Sequence, residues 1–151
     1  MLRLSKFADY GTQVMAYMAK DGAVHSATEV SAELGIAAPT VSKILKALVQ
    51  HGLLVSLRGA KGGYSLAVAP EEISVAQIIA AIEGPIALTE CSDTAKLCEQ
   101  ESLCSVRGNW QRINKAVLTA LQQVSLADLA RPAEQPLRFM PPSTTSRMEG
   151  I

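Results

Sequence analysis

The stretch HSATEVSAELGIAAPTVSKILKALVQHG, residues 25–52, constrains the fold more than any other. Ser26 and Glu29 stand at capping-box spacing. A short helix is predicted from there, with Val30 and Leu34 turned inward and Gly35 as its stop. Pro39 then occupies the place favoured for a first helical residue. Val41, Ile44, Leu45, Leu48 and Val49 recur at i, i+3, i+4, i+7 and i+8, a full apolar stripe. Gly52 ends that second helix. Two amphipathic helices joined by the short turn Gly35-Ile36-Ala37-Ala38 predict a helix-turn-helix. The opposite face of the second helix carries Thr40, Ser42, Lys43, Lys46 and Gln50, all suited to hydrogen bonding or phosphate contact.

The flanks extend this unit. Phe7, Tyr10, Val14, Tyr17 and Met18 fall on one face of a helix that Ser5 caps and Lys20-Asp21-Gly22 closes. After Gly52, Leu53–Arg58 and Tyr64–Val68 alternate as strands around Gly59-Ala60-Lys61-Gly62-Gly63, a tight hairpin tip. The predicted fold is therefore mainly α with a small β-hairpin wing. A winged helix-turn-helix fills residues 1–70. Aromatic residues are only 4% of the chain, so the core should be aliphatic.

Net charge is zero, but it is unevenly spread. Residues 1–70 hold seven Lys/Arg against four Asp/Glu, and residues 71–151 hold seven against ten. A basic front and an acidic back result. A single lysine on a helix is ordinarily a solvated charge. Here helix-turn-helix, glycine-rich wing and basic front coincide, which points to double-stranded DNA. Thr40, Ser42 and Lys43 lie near the start of the second helix, where recognition helices meet base edges. Lys46 is suited to phosphate, and Arg58 and Lys61 at the wing tip to backbone or minor groove. No nucleophile–base pair is evident, and the glycine-rich turn is a hairpin tip rather than a phosphate loop. No enzyme is predicted, and no small-molecule substrate.

Residues 71–130 read as helices on either side of a polar loop. Ser74 caps a helix through Val75, Ile78, Ile79 and Ile82 that ends at Gly84-Pro85. Val106, Trp110, Ile113, Val117, Leu121 and Val124 repeat at helical spacing over about five turns, and SLADLA adds a further turn. Proline at 132, 136, 141 and 142 among serine and threonine predicts a disordered tail over 131–151. No signal peptide or membrane span is evident, and a cytoplasmic location is expected.

Between the two helical patterns lies CSDTAKLCEQESLC, which holds every cysteine of the chain: Cys91, Cys98 and Cys104. In a reducing compartment clustered thiols point to metal or redox chemistry. Structural zinc prefers four ligands with a short paired spacing, and here the gaps are longer. Iron–sulfur clusters take several thiolates and accept a different residue as one ligand. The surrounding Glu90, Asp93, Glu99 and Glu101 raise thiol pKa, which disfavours a free reactive thiolate. Cluster, zinc site and thiol sensor all stay open on these residues.

MLRLSKFADYG, RGAKGGYSLA, EEISVAQIIAAIEGPIALTEC and the three-cysteine loop resemble the IscR/NsrR family of bacterial winged-helix regulators. GPIALTECS with the later NWQRIN is similar to its branch of SUF-system iron–sulfur assembly regulators. The resemblance covers about residues 1–130. It implies a homodimer held by the Ser105–Val124 helix, which makes residues 71–130 a sensor loop with dimerisation helices. It implies an iron–sulfur cluster ([2Fe-2S] or [4Fe-4S]) on Cys91, Cys98 and Cys104, whose state alters promoter binding, with repression of cluster-assembly genes expected. Two positions depart from the IscR branch: Arg107 stands where that branch has a ligating histidine, and the first cysteine gap is one residue longer. Asp9 matches the position from which the NsrR branch supplies an aspartate ligand across the dimer. The alternatives are a nitric-oxide or redox-responsive winged-helix repressor and a zinc-bearing adaptor.

Overall fold

A computed structural model describes residues 3–92 and 104–132. Ser5 caps α1 (Lys6–Met18) by accepting from the Ala8 N–H. The predicted capping box of Ser26 and Glu29 opens α2 (Ala27–Leu34), and Gly35 closes it at φ +64°, a left-handed position that glycine adopts without strain. In α3 (Ala38–Gln50) Pro39 is the second helical residue rather than the first, because Ala37 is the N-cap. No side chain caps this helix, and proline in its first turn removes one N–H that would otherwise want a partner.

Strands β1 (Leu54–Leu57) and β2 (Gly63–Leu66) form an antiparallel hairpin with Leu54 opposite Leu66 and Leu57 opposite Gly63. β1 is one residue shorter at each end than the predicted Leu53–Arg58, and β2 begins one residue before and ends two residues before the predicted Tyr64–Val68. A 3₁₀ turn at Pro70–Glu72 leads to α4 (Val75–Glu83), and a second 3₁₀ turn spans Glu90–Ser92. The final helices are α5 (Arg107–Gln122) and α6 (Leu126–Ala130). Ser74 and Ser125 cap α4 and α6 side by side: the Val75 N–H donates to Val124 O at 2.9 Å, and the Leu126 N–H to Ile73 O at 2.7 Å. Cys98 and residues 133–151 of the predicted tail lie outside the described residues.

One aliphatic core joins these elements. Val14, Met15 and Met18 of α1, Val30 of α2, and Val41, Ile44, Leu45 and Leu48 of α3 pack with Leu54, Ile73, Ile78 and Leu126. Each such burial contributes roughly 1.5–3 kcal/mol relative to exposure. The buried face of α1 is rotated from the predicted one. Ala8, Gly11 and Met15 point inward, while Phe7, Tyr10 and Tyr17 are half-buried at the core edge. Small residues win that face because α4 packs closely there: a Cβ on Gly11 would lie 2.9 Å from Ile82 Cγ1.

The α5 stripe is also differently used. Asn114 is the buried residue of this helix, whereas Val106, Trp110 and Ile113 are 48%, 38% and 46% exposed. Among the described residues, no helix is long and apolar enough to cross a membrane.

Candidate nucleic-acid interface and cysteine site

The burial of Val41, Ile44, Leu45 and Leu48 fixes the roll of α3, and with it the residues left at the surface. Lys43 and Lys46 are exposed, and Thr40 and Ser42 are half-buried at the edges of the buried stripe. The Lys43 ammonium lies 5.3 Å from the centre of the Phe7 ring, so α1 supports the start of α3 through a cation–π contact. Arg58 and Lys61 are exposed at the hairpin tip. That tip is closed by the Gly62 N–H donating to Gly59 O at 2.9 Å. A Cβ on Gly62 would stand 2.4 Å from Leu57 O, so glycine is needed for the chain to turn so tightly.

The wing does not hang from the chain by β1 alone. The His25 N–H donates to Tyr64 O, and the Tyr64 N–H to His25 O, both at 2.9 Å. The segment before α2 is thus a bridge on the outer edge of β2. His25 is 5% exposed. Its Nε2 lies 2.9 Å from Asp21 Oδ1 and its Nδ1 3.0 Å from Glu29 Oε1. Burial alone would lower the His25 pKa, but the two carboxylate hydrogen bonds outweigh it and the pKa is raised. The Asp21 carboxyl is lowered, chiefly by the Ala23 N–H, and that of Glu29 by its bond to His25. Sequence reading assigned His25 no role. Its i±4 spacing to both acids was the available signal.

The cysteine segment is anchored where it can be described. Cys91 belongs to the Glu90–Ser92 turn, which packs against α5. The buried Asn114 of α5 holds the approach to that turn: its Oδ1 accepts the Leu88 N–H at 3.0 Å, and its Nδ2 donates to Ile86 O at 3.4 Å. Cys104 is half-buried just ahead of α5. Arg107 is the first residue of α5, half-buried, at the position where one family branch carries histidine. Asp9 is exposed in the first turn of α1, and its carboxylate accepts from Gln13 Nε2 at 3.1 Å. Among the described residues, no group of three or more His, Cys, Asp or Glu side chains gathers into a metal site.

A family model described as Rrf2, iron-dependent transcriptional regulator, matches residues 4–132. The chain belongs to the Rrf2 family. It is 31% identical over 134 residues to Protein rrf2 of Nitratidesulfovibrio vulgaris, covering 87% of this chain and 89% of that one. Among solved structures it is similar to the global cysteine regulator CymR of B. subtilis, with TM-score 0.68 and 30% identity over 86% of this chain and 97% of that one. It is also similar to T. potens IscR, with TM-score 0.66 and 27% identity over 91% and 94%. CymR of Staphylococcus aureus gives TM-score 0.65 and 30% identity over 87% and 100%. Rrf2 proteins are winged-helix, DNA-binding transcriptional regulators and not enzymes, and this chain is a transcriptional regulator of that family.

Proposed function

We propose that this Rrf2 protein is a homodimeric, iron–sulfur-cluster-sensing regulator, a repressor of iron–sulfur assembly genes. The observation that carries the reading is the anchoring of the cysteine segment: the Cys91 turn packs on α5 and Asn114 fixes its approach, with Cys104 at the start of the same helix. Three thiols on one short segment are a soft donor set that suits an iron–sulfur group. Cys91, Cys98 and Cys104 would hold it, with Asp9 of the partner subunit as the fourth ligand. A bound cluster supplies a centre that responds to oxidant, iron supply or nitric oxide. Asp9 sits two residues from Phe7, which lies against Lys43. A ligand on α1 therefore bears on the start of α3, where Thr40, Ser42 and Lys43 address base edges and Lys46 addresses phosphate. Arg58 and Lys61 address the neighbouring backbone or minor groove. Two such units read an imperfect palindrome with half-sites about one helical turn apart.

Protein purified without oxygen should carry iron and acid-labile sulfide, and each Cys→Ala variant should lose them. Asp9→Ala should retain the cluster less firmly and uncouple its state from DNA binding. Selection from a random-sequence duplex library should recover a palindromic site whose affinity depends on the cluster. A colourless protein with about one zinc would sink the cluster reading. Unchanged spectra and stability in Asp9→Ala would sink the cross-subunit ligand.

A further inference from the structure

We infer that His25 is a positioning residue for the wing, a positively charged clasp between Asp21 and Glu29 that sets how Arg58 and Lys61 are presented. The argument begins with the ring. A neutral imidazole has one N–H and donates once. Here a carboxylate oxygen stands within 3.0 Å of each ring nitrogen. Only the imidazolium donates to both; a neutral ring would turn a lone pair toward one of the acids. The ring is also enclosed. Tyr17 of α1 covers it with ring centres 4.9 Å apart, and the Lys20 ammonium stands 5.5 Å from the Tyr17 ring. Asp21 comes from the turn after α1, Glu29 from α2, and Tyr64 from β2; Glu33 of α2 adds negative charge near Tyr17.

The backbone of the same residue carries the wing. Both His25–Tyr64 hydrogen bonds run through it, and Ser56 of β1 faces Tyr64 from the other side. The strand crosses so closely that a Cβ on Gly63 would lie 2.5 Å from His25 O. The charged side chain thus holds the residue that pairs with β2 at the tip end of the hairpin, beside the Leu57–Gly63 pair. This clasp lies on the edge of β2 away from β1 and close to the tip, outside the cysteine site and outside α3, and it gives the wing a dependence on pH.

The sign follows from the raised His25 pKa. The charged clasp is fully present below the ordinary histidine value of about 6.5 and is lost as pH rises through the higher folded value. Wing presentation should therefore weaken on the alkaline side. The consequence for DNA rests on the wing contacts proposed above, whereas the clasp itself is tested in the free protein.

Amide exchange at Tyr64 and His25 is measured on the full chain from pH 6 to pH 9, with rates corrected for the intrinsic pH dependence. Wild type should lose protection at both amides by on the order of tenfold across that range. In D21N/E29Q the caps are kept, the residue-21 amide oxygen accepts from the single N–H of a neutral ring and the residue-29 amide N–H donates to its lone pair, so the profile should be flat. H25N should be weakly protected at every pH. Affinity for the duplex recovered from the random library should follow the wild-type profile and flatten in D21N/E29Q; His51 is common to both proteins and cancels. Flat wild-type protection, or identical profiles in wild type and D21N/E29Q, would overturn the clasp. Affinity that ignores pH while protection changes would overturn its role in positioning. Failure of wild type to bind any duplex at pH 6 would instead overturn the DNA reading.

Discussion

Gly63 shows how a single residue can be required without any ligand or charge. Its missing Cβ is the space through which β2 passes His25 O beside the tip of the wing. Gly63→Ala puts a methyl group 2.5 Å from a backbone oxygen, and neither strand nor bridge has a flexible end that can yield. The expected cost is about 1–3 kcal/mol, the range for overpacking. Thermal unfolding should show a Tm several degrees lower, with Tyr64 amide protection falling more than that of α3. A variant as stable as wild type would mean that the bridge yields freely. The glycine run was legible in the sequence as a hairpin tip, and Gly59 and Gly62 serve it so. The part played by Gly63 was not legible, since it depends on a residue thirty-eight positions earlier in the chain. For His25 the two acids at i±4 were legible, whereas its contacts with Tyr17 of α1 and Tyr64 of β2 were not.

At the scale of elements, patterns with a strict period transferred well and those decided by packing partners did not. The α3 stripe, the Ser26–Glu29 capping box and the order of helix, helix-turn-helix and hairpin follow local rules, and the structure has them. The buried face of α1 does not follow hydrophobicity alone, because Gly11 and Ala8 are selected by how near α4 comes. In α5 a polar residue takes the buried position. Asn114 lies inside because the chain at Ile86–Leu88 has a carbonyl and an N–H to satisfy, and its side chain supplies one donor and one acceptor. Asn114→Leu keeps the volume and removes both bonds. It should cost about 1–3 kcal/mol, the penalty for leaving a buried polar group unpaired. Residues 85–92 should become more open to limited proteolysis, and purified protein should hold less iron per chain than wild type. Unchanged cleavage and iron content would mean that the turn bearing Cys91 is held by other contacts.

At the scale of the whole molecule, α5 is the element whose sequence and surroundings disagree within a single chain. Val106, Trp110 and Ile113 form an apolar row at helical spacing and are exposed. An adjacent face of the helix, where Asn114 is buried, is already covered within the chain, and α5 packs on α4 and on the Glu90–Ser92 turn. An apolar row left exposed on a helix is suited to a second neighbour, and Rrf2 regulators are typically dimeric. The row is therefore proposed to meet its symmetry mate, with the same patch used on both subunits. Ile113, the member of the row nearest the middle of α5, is the place to break it. Ile113→Glu leaves the monomer fold alone, since the side chain is nearly half exposed. It brings two carboxylates into one interface by symmetry. A centrally buried apolar anchor exchanged for a charge should cost about 2–4 kcal/mol of association, or roughly 30- to 900-fold in the dimer dissociation constant. Sedimentation should then find monomers at concentrations where wild type is dimeric, with an unchanged far-ultraviolet spectrum. Affinity for a full palindrome should collapse to that for a half-site, because two recognition helices on separate chains no longer share one binding event. Wild-type dimerisation in this variant would move the interface away from α5. It would also remove the route by which Asp9 of one subunit reaches the cysteine segment of the other.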